Sequence, residues 1–74
     1  MQFNVIIEKD ADGYFARVPH LKGCVTQGDT VEEVLQNIKE AIELYLETLD
    51  QHDIAAIART TYMIAPLEID LVNV

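Results

Sequence analysis

The chain has 74 residues, half of them apolar and 24% charged, with five Lys or Arg against thirteen Asp or Glu and a formal net charge of −8. That composition is globular, not disordered, and the length suits a single domain, 1–74, with one thinly stable core that self-association would reinforce. Such acidity argues against nucleic acid or anionic membrane as direct partners, a lone cysteine excludes an internal disulfide, and no apolar run approaches a membrane span. A cytoplasmic setting and a basic protein partner are therefore expected.

Residues 2–9, QFNVIIEK, set Phe3, Val5 and Ile7 against Gln2, Asn4 and Glu8, the period of a half-buried strand, with Ile6 interrupting the polar face. Asp10 to Gly13 reads as an acidic turn into the apolar run Tyr14–Val18, which predicts a β-hairpin. Pro19 and Gly23 bracket a loop, PHLKG, leading to a short third strand, Cys24–Gln27. Thr30 with Glu33 three residues on is a capping box. Val31, Val34, Ile38, Ala41, Ile42, Tyr45 and Leu49 then recur at spacings of three and four, which predicts a helix from Val31 to about Asp50. Residues 51–61 leave two readings open, a short helix capped by Asp53 and running through Ala58, or an irregular connection. After Pro66, Leu67, Ile69 and Leu71 alternate with Glu68 and Asp70, which predicts a fourth strand. The fold class is α+β in the order βββαβ, an antiparallel three-stranded meander followed by one long helix and a further C-terminal strand.

Acidic side chains are abundant, but most have a local explanation. Asp10 and Asp12 sit in a turn, and Glu32 and Glu33 sit in a helix first turn where the dipole favours anions. His20 and Cys24 form a conceivable base and nucleophile across one loop, yet Cys24 reads more simply as a small buried residue at a strand start. With no Gly-rich phosphate loop, no G-x-S-x-G elbow and no zinc-ligand spacing, no catalytic, cofactor-binding or metal residue is expected, and the chain is not expected to be an enzyme.

The long helix says more. Gln36, Glu40, Glu43, Glu47 and Asp50 follow at spacings of four and three, so the carboxylates stand in a row and repel one another. Rows of this kind are commonly plain solvated faces, and the functional alternative is a docking stripe for a basic protein. Leu44 and Leu46 widen the apolar stripe on opposite edges, and Ile6 and Phe15 fall on the hairpin face expected to be polar; these four are the expected oligomer interface.

The run from Glu8 to Leu46 contains DGYFARVP, the loop ending in Gly23-Cys24, the VTQGDT connection and the helix pattern EEVLQNIKEAIELYL, and in that order it resembles the HicB-like antitoxin family. The resemblance implies a reduced ribonuclease H-like domain and a role in covering the active surface of a small, basic, RNA-cleaving toxin, HicA. Many family members continue into a DNA-binding domain, which is not expected here because the sequence stops at Val74. A stand-alone homo-oligomeric scaffold or regulatory subunit, with no toxin partner, is the alternative reading.

Overall fold

The computed structural model describes residues 1–72. Its elements are β1 (Ile6–Asp10), β2 (Gly13–Arg17), β3 (Val25–Gly28), α1 (Val31–Glu47) and α2 (Gln51–Arg59). The strands form an antiparallel sheet in the order β1-β2-β3, as the hairpin and meander pattern requires. Asp10 pairs with Gly13 across a two-residue turn, and the Asp10 carboxylate accepts from the Asp12 N–H at 2.7 Å. The register sets Ile7 opposite Ala16 and Ala16 opposite Thr26 on one face, with Glu8, Phe15 and Gln27 on the other.

The core consists of Ala16, Val18, Leu21, Cys24, Val34 and Ile38, none more than 4% exposed, with Phe3, Val5, Tyr14, Ala41, Ile42, Tyr45 and Ile57 packed around it. Helix α1 crosses β2 and β3 and leaves β1 beside it, so Ile7 stays 37% exposed although it shares the face of buried Ala16. Gly28 allows the close crossing, since a Cβ there would lie 2.8 Å from the backbone nitrogen of Val34. Gly23, at φ +80°, takes the left-handed turn that carries PHLKG into β3, a conformation costly for other residues.

Three expectations need correction. The first strand begins at Ile6 instead of Gln2, because β2 ends at Arg17 and offers residues 2–5 no ladder partner. The long helix stops at Glu47: the Thr48 hydroxyl donates to the Tyr45 carbonyl oxygen at 2.7 Å, and the Asp50 side chain accepts from the Asp53 N–H at 2.8 Å to open α2. Residues 51–59 are therefore helical, with Asp50 as the cap and Asp53 as its reciprocal partner. The expected fourth strand over Leu67–Leu71 is not formed, and residues 60–72 have no regular structure. A strand is stabilised by its ladder neighbour, and within one chain this segment has none. The observed order is βββαα.

Candidate protein-binding site

Helix α1 starts where Thr30 accepts the Glu33 N–H at 3.0 Å on its side-chain oxygen. Burial of Val34 and Ile38 against the sheet then fixes the rotation of the helix and turns the opposite side to solvent. Gln36, Glu40, Glu43 and Glu47 are all exposed on that side, as the helical period requires. Gln36 Nε2 donates to Glu40 Oε1 at 3.2 Å, and Lys39 approaches Glu43 at 4.0 Å. The helix has no basic residue in its last turn, so Glu47 faces the negative end of the dipole without compensation. Asp50 does not continue this helix row, because its carboxylate is engaged in capping α2.

The remaining candidate contacts lie apart from one another. Ile6 and Phe15 sit on the sheet face away from α1, where Phe15, Val25 and Gln27 with the Glu8–Arg17 pair (3.4 Å) line a shallow apolar depression. Leu44, 63% exposed, and half-buried Leu46 flank the buried stripe of α1 on its two edges. Leu46 borders a second apolar groove, lined also by Phe3, Val5, Leu35 and Ile42, between the N-terminal residues and α1. This groove was not expected from the sequence, because it forms only where Phe3 and Val5, which precede β1, meet α1.

His20 and Cys24 do not form a reactive pair. The His20 Nε2–H donates to the Thr60 carbonyl oxygen, and its ring packs edge-on against Phe3 and Tyr62, at 6.2 and 5.2 Å between centroids. Cys24 is buried, and burial raises its thiol pKa, which disfavours the nucleophilic thiolate. Among the described residues, no three His, Cys, Asp or Glu side chains gather as a metal site would require, and no helix is long and apolar enough to cross a membrane.

What remains is a small α+β domain whose exposed features are charge and apolar surface, the features of a protein that meets other proteins. Residues 3–68 match the family model described as the HicB-like antitoxin of bacterial toxin-antitoxin systems. The chain is 56% identical over 69 residues to a UPF0150 protein of Helicobacter pylori, covering 93% of this chain and 96% of that one. It is 56% identical over 54 residues to a UPF0150 protein of Thermoplasma acidophilum (72% and 78% of the two chains) and 54% identical over 48 residues to one of Archaeoglobus fulgidus (64% and 70%). No solved structure matches it. The chain belongs to the HicB-like antitoxin family, and that membership implies a toxin partner.

Proposed function

We propose that this protein neutralises a small, basic, RNA-cleaving toxin of the HicA kind by occlusion, with the outer face of α1 as the docking surface. The observation that carries this reading is the row Glu40, Glu43 and Glu47 within an antitoxin-family chain of net charge −8. Neighbouring members of the row repel by a few tenths (~0.2–0.5) of a kcal/mol, and Glu47 adds a dipole penalty. The row thus opposes the helix that bears it.

A toxin that grips RNA needs a cationic surface for the phosphates. A helix that lines up carboxylates about 5–6 Å apart presents an anionic ladder to the same surface. Coulombic steering brings the two together quickly, and the body of the antitoxin then blocks RNA by bulk. The role needs no reacting group, which accords with a His20 committed to a backbone carbonyl and a buried Cys24.

The test is an RNA-cleavage assay with the small basic protein from the neighbouring reading frame. Cleavage should stop at equimolar antitoxin. Cleavage that continues at a large molar excess would contradict the proposal.

A further inference from the structure

Two segments of this chain have the pattern of strands and no partner. Residues 2–5 carry the alternation that continues into β1, yet β2 ends too early to pair with them. Residues 67–71 alternate Leu67, Ile69 and Leu71 with Glu68 and Asp70, and the large apolar residues from Met63 to Val72 are 68–86% exposed. The chain leaves the body after Tyr62, where His20 holds the Thr60 carbonyl and the Tyr62 ring.

The molecule also has a place for a strand. β1 is an edge of the sheet, and α1 does not cover it. Next to the residues that lead into it lies a groove whose apolar lining includes Phe3, Val5, Leu35, Ile42 and Leu46, with Lys39 and Glu43 also bordering it. The other edge is less open, since Asn37 Nδ2 donates to the Gln27 carbonyl oxygen of β3 at 2.9 Å.

Size identifies the occupant. A compact monomer of 8.3 kDa exposes about 4,600 Å² by the scaling of folded proteins, whereas this chain exposes 6123 Å². The excess, about 1,500 Å² per chain, comes to about 3,000 Å² over two copies, within the roughly 2,000–5,000 Å² that obligate homodimer interfaces bury. The radius of gyration is 15.2 Å, against about 11 Å for a compact chain of this length. The longest dimension is 50 Å against 29 and 16 Å for the others. The tail thus projects from its own body instead of lying in its own groove.

We infer that two copies of this chain exchange their C-terminal segments, residues 67–71 of each adding as a strand along residues 2–5 and the start of β1 of the other. Leu67, Ile69 and Leu71 enter the groove, and Glu68 and Asp70 stay in water. Exchange pairs the backbone of both orphan segments and removes an exposed strand edge. The groove reaches Lys39 and Glu43 on one side of the acidic row, while Glu40 and Glu47 lie outside it.

The inference is independent of the toxin, and its test uses the full chain alone. Sedimentation equilibrium should give twice the 8.3 kDa chain mass. Leu67→Asp with Ile69→Asp should raise the dissociation constant roughly 30-fold or more, with the helical circular dichroism signal retained. Leu35→Asp, on the groove, should do the same. Mixing the tail variant with the groove variant should restore a heterodimer through the one intact tail and the one intact groove. Amide exchange supplies a readout without any variant: protection of residues 67–71 should rise with protein concentration.

A wild-type monomer at all concentrations would overturn the inference. So would a dimer that survives the tail substitutions, which would place the contact elsewhere, for instance at Phe15. Protection of 67–71 that does not depend on concentration would show the tail closing on its own groove and would also overturn it.

Discussion

Gly28 shows how much one missing atom can decide. Its Cβ would meet the Val34 backbone at 2.8 Å, and a helix backbone in the core cannot yield as a flexible side chain does. Gly28→Ala should therefore cost about 1–3 kcal/mol in urea unfolding, a large share of the roughly 4–11 kcal/mol a domain of this size has in all. Tyr62 is the opposite case. Its hydroxyl is buried without a hydrogen-bond partner, so Tyr62→Phe should leave stability unchanged or raise it by up to about 1 kcal/mol in the same measurement. Cys24 gives a pH signature. Burial lifts its pKa in the folded state, so the folded chain holds the thiol proton more tightly than the unfolded chain does. That contribution is complete below the ordinary thiol pKa and is lost as pH rises through the elevated one. Stability should fall over that alkaline window in wild type and fall less in Cys24→Ala, and iodoacetamide should label the folded chain far more slowly than the denatured one.

At the scale of elements, α1 is held by one buried stripe and weakened by its outer one. Glu47→Lys removes a like charge and places a cation at the negative end of the dipole, and it should stabilise the chain by about 0.3–1 kcal/mol in thermal or urea unfolding. The same change should weaken toxin capture, so stability and binding would move in opposite directions. The hairpin, the third strand and the start of α1 were legible because alternation, turn residues and the Thr30 cap act locally. The end of α1 was harder to read, because Leu49 keeps the helical period while Thr48 and Asp50 close one helix and open another. Asp50 itself could have been read as a cap, with Asp53 three residues on. The C-terminal strand pattern is real in the sequence, but whether it becomes a strand depends on a neighbour, which no local pattern specifies.

For the whole molecule, the acidic row was readable from spacing alone, whereas the groove of Phe3, Val5, Leu35, Ile42 and Leu46 arises only once α1 crosses β2 and β3 and passes β1 by. The two surfaces have different physics. Toxin binding through the acidic row should weaken as salt screens it. Self-association through the tails brings two chains of net charge −8 together, so added salt should leave it unchanged or strengthen it. Sedimentation of the chain alone and toxin titration, each at low and high salt, should give opposite slopes.

The most direct test of the central claim is the affinity of the small basic toxin for wild type and for a variant carrying Glu40→Lys, Glu43→Lys and Glu47→Lys, by isothermal titration at about 50 and 200 mM salt. Wild type should bind and lose affinity with salt, while the variant, equally folded by circular dichroism, should lose most of both the affinity and the salt dependence. Equal affinity of the two proteins at both salt concentrations would contradict it and place the toxin on another face.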